Sequence, residues 1–346
     1  MSHFMSYLNE INTLLKPNIG ELPLVLDLFA GCGGLALGFE AHGFKTLGYE
    51  MDMDCCATYN HNLIGECVNV KLSSDFAFPK AKVVIGGPPC QPFSVGGSQK
   101  GIEDSRDGFP IFISAIEQAD PDIWMFENVR GLMYKNKWYL EEVINKLEQM
   151  NYVIEYDLFN AVNFAVPQNR ERIIVVGHRG QFKFPEKPFK NYTVQDAIGD
   201  TMGAIPKDAK FLTPSMDAYV KKYEDASKCI NPRDLYPDKP SRTLTCRNLA
   251  GATGDMQRVK LDDGRRRRLT VREAARIQSF PDWYYFKGED HSAFNQIGNS
   301  VAPMFSYHMA QSVKNYFDSN RQLEISEILK LRRPSQLTLP MSMYGN

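Results

Sequence analysis

The chain has no apolar stretch long enough to cross a bilayer. Residues 1–12 lack the basic, apolar and small-residue zones of a secretory signal. Its seven cysteines follow no framework spacing, Cys55 and Cys56 are adjacent, and no Cys-x-x-Cys pair occurs, which argues against a disulfide scaffold or a structural zinc site. A reduced, cytoplasmic protein without metal or membrane contact is expected. Strong charge of either sign is also missing: the net charge is -1 at pH 7. Any contact with a polyanion must therefore come from local patches. One candidate is Arg265 to Arg268 with Arg272 and Arg276, which reads equally well as a solvated charged face.

At 346 residues and 43% hydrophobic content, the chain suits one large domain plus a smaller one. Leu8, Ile11, Leu14 and Leu15 have helical spacing within an N-terminal extension, 1–20. From residue 21 strands and helices alternate. Strands are expected at 23–28, 46–50, 68–70, 83–85, 123–126, 153–159 and 172–176, and helices at 35–42 and 139–150. This order predicts an α/β fold with a mostly parallel, doubly wound sheet over 21–182. Residues 183–264 are rich in Pro, Lys and Asp, and read as a smaller loop-rich module. A helix begins after Leu269, with Thr270 as N-cap and Glu273 as its capping-box partner. Another spans 304–316, so 265–318 returns to the large domain and 319–346 forms a tail.

Two loops carry chemistry. Asp27-Leu-Phe29-Ala30-Gly31-Cys-Gly33-Gly34-Leu35 joins the first strand to the first helix. Its glycines allow a sharp turn and close approach to a ligand, and a helix N-terminus offers free N–H groups. The loose dinucleotide pattern is met, so NAD and other adenosine cofactors remain open at this point. Glu50, at the end of the second strand, can accept from ribose hydroxyls, and Asp52 competes for that role. The second loop, Gly86-Gly-Pro88-Pro-Cys90-Gln-Pro-Phe-Ser94, sets a cysteine in a proline-stiffened turn at a strand end. That is the setting of a presented nucleophile. Glu127 ends the fifth strand, so adjacent parallel strands would bring it to the same sheet edge as Cys90. Arg170 and Arg172 alternate along one extended segment and should point to one side.

Six blocks, in order, resemble the DNA (cytosine-5) methyltransferases from Leu24 to Tyr316. They are Phe29-Ala-Gly31, Pro88-Pro-Cys90-Gln, Glu127-Asn-Val129, Gln168-Asn-Arg170-Glu-Arg172, Arg268 to Pro281, and Gln296-Ile-Gly-Asn299-Ser300-Val301-Ala-Pro303. The resemblance implies a Rossmann-like S-adenosylmethionine-dependent fold with a target-recognition domain at 183–264. It implies that Asp27, Phe29, Ala30, Gly31, Gly33, Gly34, Leu35, Glu50, Met51, Pro88, Asn299, Ser300 and Val301 surround S-adenosylmethionine. Asn69 stands where the family carries an aspartate for the adenine amino group. Its side-chain carbonyl can still accept that hydrogen bond.

The implied reaction is methyl transfer to carbon 5 of a flipped-out cytosine in a short duplex DNA target. Cys90 adds to carbon 6, and Glu127 protonates ring nitrogen 3, which requires an acid held above the ordinary glutamate range. Arg172 grips the exocyclic oxygen, and Arg170 orders the nucleophile loop or meets a backbone phosphate. Ser94, Ser98, Gln99, Lys100 and Arg106 lie on a loop that closes over the base. Arg242, Thr245, Arg247 and Asn248 are the candidate readers of sequence, arginine suiting guanine and asparagine adenine. Such an enzyme implies a cognate restriction endonuclease as genetic partner, and it acts as a monomer. Three rivals stand. One is a transfer RNA methyltransferase, which often carries Thr at the position of Ser94 and a Cys-Phe-Thr signature absent here. The others are an NAD-linked oxidoreductase and a catalytically silent DNA-binding relative.

Overall fold

Strand β1 (Leu24–Leu28) is apolar apart from Asp27 and is buried along almost its whole length. A strand covered on both faces belongs at the middle of a sheet with helices on either side. The computed structural model describes residues 6–89, 107–187, 191–207, 209–226, 233–250 and 255–319. Helix α1 (Tyr7–Leu14) is capped by Ser6 and buries Tyr7 and Ile11. After β1 come α2 (Gly34–Ala41), β2 (Lys45–Glu50), α3 (Met53–Asn62), β3 (Glu66–Asn69) and β4 (Val83–Gly86). Helix α4 (Phe109–Ala119), β5 (Ile123–Val129), α5 (Lys137–Glu148), β6 (Val153–Asn160), the two-residue β7 (Gln168–Asn169) and β8 (Glu171–His178) follow.

The seven-stranded sheet has the order β3-β2-β1-β4-β5-β8-β6. The first five strands in that order are parallel. In this sheet β8 alone is reversed: it runs antiparallel to both neighbours, β5 and β6, so β6 shares the direction of the first five. Strand order reverses between β1 and β4, and their carboxyl ends open the crevice where α/β sheets take ligands. The two-residue period sorts side chains onto two cores. Val25, Val83, Ile85, Ile123 and Met125 face one core. Leu26, Leu28, Val84, Trp124 and Phe126 face the other. Glu127 continues the first set along β5.

The region expected to be loop-rich holds real helices. Helix α6 (Val194–Met202) starts at a Thr193–Asp196 capping box, and α7 (Pro214–Ala226) follows. Strand β9 (Ser241–Arg242) pairs in parallel with β7. Helix α8 (Cys246–Ala250) leads to the hairpin of β10 (Arg258–Lys260) and β11 (Arg266–Arg268). Val194, Ala197, Ile198, Leu244, Leu249, Val259 and Leu261 join the first large core, whereas Leu212, Val220 and Met256 form a small satellite. The expected cap at Thr270 is present: α9 (Val271–Ile277) opens on a capping box with Glu273. Helix α10 (Asp290–Asn299) and α11 (Pro303–Asp318) are the last described elements. Gly38 lets α11 lie directly on α2, since a Cβ there would sit 2.4 Å from Ser306 atoms.

Candidate active site

The glycine loop leaves β1 through two backbone positions that most side chains avoid. Phe29 has φ 57° and Gly31 has φ 54°. A Cβ added at Gly31 meets nothing within 4 Å, whereas one at Gly34 would lie 2.0 Å from Ser300 Oγ. Gly31 therefore borders open space, and Gly34 is the seat of the returning Ser300-Val301 segment. Ala30 and Leu35 are buried beneath the loop. Gly33 precedes α2 and offers no side-chain cap, so the first N–H groups of that helix have no capping oxygen. Tyr284 donates its hydroxyl to the carbonyl of Cys32 and fixes the loop from below.

Glu50 closes the other wall. Its carboxylate accepts from Gly31 N at 2.9 Å and from Asp52 N at 2.8 Å. Asp52 is the N-cap of α3, its Oδ1 accepting from Cys55 N at 2.9 Å. Asn69 donates through Nδ2 to the carbonyls of Glu50 and Met51 at 3.0 and 3.1 Å, and its Oδ1 keeps acceptor capacity. Met51 is 69% exposed beside them. Asp27 is buried with Oδ2 unpartnered; burial, then the charge of Glu50, push its carboxyl well above the usual carboxylate range. The open face at Gly31, the carboxylate, the amide oxygen and an exposed apolar side chain fit an adenosine-bearing group. Asn299 leans away from this wall, with its Oδ1 accepting from the Cys246 thiol at 2.8 Å.

The second loop ends its described part at Pro89. Cys90, Ser94, Ser98, Gln99, Lys100 and Arg106 lie outside the described residues. Its anchoring is nevertheless defined at both ends. Asn128, which is buried, donates to the carbonyl of Pro88 at 2.9 Å. Gly108 N donates to the carbonyl of Pro89 at 3.0 Å. A Cβ at Gly87 would lie 3.9 Å from Glu127 Oε2, so the loop backbone passes the acid directly. Asn128 escaped the sequence reading as an anchor. Its position inside the Glu127-Asn128-Val129 block was the available signal.

Arg172 Nε sits 2.8 Å from Glu127 Oε1, both side chains being largely buried. The antiparallel register makes the contact: Val129 faces Arg172, so Glu127, two residues earlier, is its diagonal neighbour on the same face. The contact places a guanidinium against the acid at the carboxyl end of β5. A cleft of about 500 Å³ opens beside Arg172, lined by Val129, Arg130, Asn160, Asn169, Glu171 and Thr243.

Arg170 is not placed for a phosphate contact, one of the two roles expected of it. It is 3% exposed, and its guanidinium donates to the carbonyls of Leu244 and Ser300, both at 2.9 Å, and of Gly298 at 3.4 Å. Burial and the neighbouring charge of Arg172 bring it down to about 9. No phosphate can reach it there. Asn248 is likewise 4% exposed, with Oδ1 accepting from Thr245 N and Nδ2 donating to the Thr243 carbonyl, both at 2.8 Å. Its amide holds the turn and is not presented to a base. Thr245 Oγ1 accepts from Asn248 N at 3.3 Å in the same turn. Arg242 and Arg247 remain outward, with side chains 49% and 75% exposed, fanned around Asp255 at 4.0 and 3.8 Å.

The arginine run is mostly internal wiring. Arg265 pairs with Asp263, Arg266 with Asp217 and Asp234, and the fully buried Arg267 with Glu273. Arg272 donates to the carbonyls of Pro281 and Tyr284, and Arg276 pairs with Asp200 and Asp282. Among the described residues no group of three His, Cys, Asp or Glu side chains could hold a metal ion, and no helix is long and apolar enough to cross a membrane.

Known proteins share this framework. The profile of the C-5 cytosine-specific DNA methylases matches residues 24–315. The chain is 52% identical to the Type II methyltransferase M.AplI of Arthrospira platensis, over 99% of this chain and 100% of that protein. It is 34% identical to the Type II methyltransferase M.PspPI of a Psychrobacter species, over 80% of this chain and 75% of that one. The solved structure of the Entamoeba histolytica methyltransferase EhMeth superposes with a TM-score of 0.64 at 17% identity, covering 88% of this chain and 100% of that one. With the profile, a relative matched over its whole length and the sheet in agreement, the chain belongs to the C-5 cytosine-specific DNA methylase family and methylates cytosine in DNA at carbon 5.

Proposed function

We propose that this enzyme works through a transient Cys90 adduct on an extruded cytosine, with Glu127 and Arg172 holding the ring and S-adenosylmethionine in the cradle of Gly31, Glu50, Met51 and Asn69. The observation that carries the reading is the 2.8 Å Glu127–Arg172 pair beside the anchored loop that leads into Cys90. S-adenosylmethionine, when bound, supplies a methyl group on a sulfonium, which carbon 5 of a resting cytosine is too weak a nucleophile to take. Cys90 thiolate bonds to carbon 6, breaks the aromatic ring and makes carbon 5 enamine-like. Charge displaced toward nitrogen 3 and the exocyclic oxygen meets Glu127 and Arg172. Arg172 can shift its donors from Glu127 to the oxygen, which releases the carboxyl to share a proton with nitrogen 3. After methyl transfer a water takes the carbon 5 proton, nitrogen 3 gives its proton back to Glu127, and the carbon–sulfur bond breaks to return the Cys90 thiolate.

Residues 183–264 act as the recognition module, with Arg242 and Arg247 as its exposed readers. The monomeric enzyme works in the cytoplasm and protects DNA from a cognate endonuclease, a role favoured by the Type II methyltransferases among its relatives. Bisulfite sequencing of an expressing host tests the reading. Protected cytosines within one short motif are expected, and Cys90→Ser should abolish them while S-adenosylhomocysteine still binds. Methyl transfer confined to transfer RNA, or persisting in the Cys90→Ser enzyme, would overturn it.

A further inference from the structure

Three buried polar side chains join the recognition segment to the cofactor wall. Gln168 and Gln278 are 0% exposed. Leu244 N donates to Gln168 Oε1 at 2.9 Å, Gln168 Nε2 donates to Gln278 Oε1 at 2.5 Å, and Gln278 Nε2 donates to the Ser300 carbonyl at 2.7 Å. Arg170 closes a second route between the same ends, from the Leu244 carbonyl to the Ser300 carbonyl. The orientation of each amide is dictated by its neighbours. An N–H already faces Gln168 Oε1, so its Nε2 must face Gln278, whose oxygen must turn back and whose Nε2 must meet Ser300.

The two ends of this chain lie in different working parts. Leu244 sits between outward Arg242 and Arg247. Ser300 is the residue whose Oγ fills the place a Cβ at Gly34 would need, 2.0 Å away. The backbones also touch nearby: a Cβ at Gly298 would meet Cys246 N at 2.4 Å. A movement of the recognition segment on DNA therefore has a short, stiff, fully hydrogen-bonded path to the cofactor loop. Leaving any link of such a buried network unmade is costly, so its two ends shift together.

We propose that Gln278 is a positioning residue that couples engagement of DNA at the recognition segment to the affinity of the cofactor cradle. The identity of the two ligands rests on the function proposed above. Calorimetric titration of S-adenosylhomocysteine, with and without a duplex carrying the site found by methylome sequencing, measures the coupling. In the wild-type enzyme the duplex should tighten binding by about 5- to 150-fold, the usual range of intersite coupling. In Gln278→Met this factor should fall below about 2-fold, while affinity without DNA changes by less than about 3-fold. The KM for S-adenosylmethionine at saturating DNA should rise, with kcat little changed. Gln168→Met cuts the same chain at its other link and should give the same loss. Because Gln278→Met could fail to fold, the wild-type measurement also decides: binding that is indifferent to DNA overturns the proposal. An unchanged coupling factor in both folded variants does the same. Failure of the proposed function looks different, as wild-type protein that does not bind S-adenosylhomocysteine at all.

Discussion

Arg172 reaches Glu127 across the antiparallel β5–β8 pair, Nε to Oε1 at 2.8 Å, one diagonal step from its register partner Val129. This is the point where the sheet changes direction. A parallel β8 would have carried Arg172 toward the opposite edge. The local reversal brings a cation onto the acid at the carboxyl end of β5, next to the loop from β4.

Glu127 and Arg172 should behave as one unit. Glu127→Gln keeps the shape but cannot deliver a proton, so kcat should fall by about 10²- to 10⁴-fold. DNA affinity should stay near the wild-type value. Arg172→Lys should also lose activity, because a point charge cannot serve the carboxylate and an exocyclic oxygen together. The double variant should be little worse than the poorer single one. Transfer of tritiated methyl groups to duplex DNA measures all three. Losses that multiply would show two independent residues.

The two glycines of the cofactor loop should respond oppositely. Gly34→Ala drives a Cβ to 2.0 Å from Ser300 Oγ, and crowding of this kind costs about 1–3 kcal/mol of stability. Gly31→Ala clashes with nothing within 4 Å, and its φ of 54° adds strain of about 1 kcal/mol. Its methyl group points into the space assigned to the ligand. Urea unfolding should therefore rank Gly34→Ala as the less stable protein. Titration with S-adenosylhomocysteine should show Gly31→Ala as a folded enzyme with at least tenfold weaker binding, a loss of about 1.4 kcal/mol. Normal binding by Gly31→Ala would place the cofactor elsewhere.

The motif-bearing loops were legible because their chemistry is local. Gly31 and the Pro88–Pro89 turn each follow a strand whose apolar run stands out, Glu50 is the last residue of β2, and the Thr270–Glu273 box announces α9. Helix α3 was missed because Cys55, Cys56, Tyr59 and the polar residues between them make no continuous apolar stripe, although Asp52 was a readable cap. Helix α4 could have been found, since Phe109, Phe112, Ala115, Ile116 and Ala119 fall at helical spacing. The direction of β8 leaves no trace in periodicity, because parallel and antiparallel strands alternate alike. The arginine run misleads for another reason. The acids that neutralise Arg266, Asp217 and Asp234, lie 49 and 32 residues away, and no local window pairs them. Asn248 likewise has the right side chain for adenine, and only the fold shows it turned inward.

Acid should loosen the joint between α6, β11 and α9. Arg267 and Glu273 are 0% and 1% exposed and 2.8 Å apart. Burial alone would raise the Glu273 carboxyl, but hydrogen bonds from Arg267, Thr270 and Thr201 outweigh it and hold the group below its ordinary 4.5. A carboxylate held low in the fold stabilises it fully above the unfolded value. That contribution fades as pH falls below 4.5 and is lost below the folded value. Glu273→Gln should cost about 3–5 kcal/mol at pH 7, since it strands a buried guanidinium. Urea titrations at falling pH should show the gap between wild type and variant narrowing only below 4.5. A gap independent of pH would mean that the carboxylate charge contributes nothing.

Of the two arginines proposed as readers, Arg247 is the more exposed, 75% against 49% for Arg242, and both approach Asp255 only at 3.8–4.0 Å. Contacts this long and this wet hold little energy. Asp255 can keep the side chains apart without competing against a guanine for them. A base reader and a phosphate contact differ in what their loss does. Removing a guanine reader costs about 1–3 kcal/mol at one position and lets other bases stand there, whereas removing a phosphate contact weakens all sequences alike and lowers the salt slope by about 1. For Arg247→Gln the expected result is the first: methylation spreads to sites that differ from the target at one base pair, with the salt dependence of binding unchanged. Methylome sequencing of a host expressing the variant, paired with binding titrations at several salt concentrations, separates the two. A uniform loss of affinity with a shallower slope would move Arg247 to the backbone and leave Arg242 as the exposed arginine free to read a base.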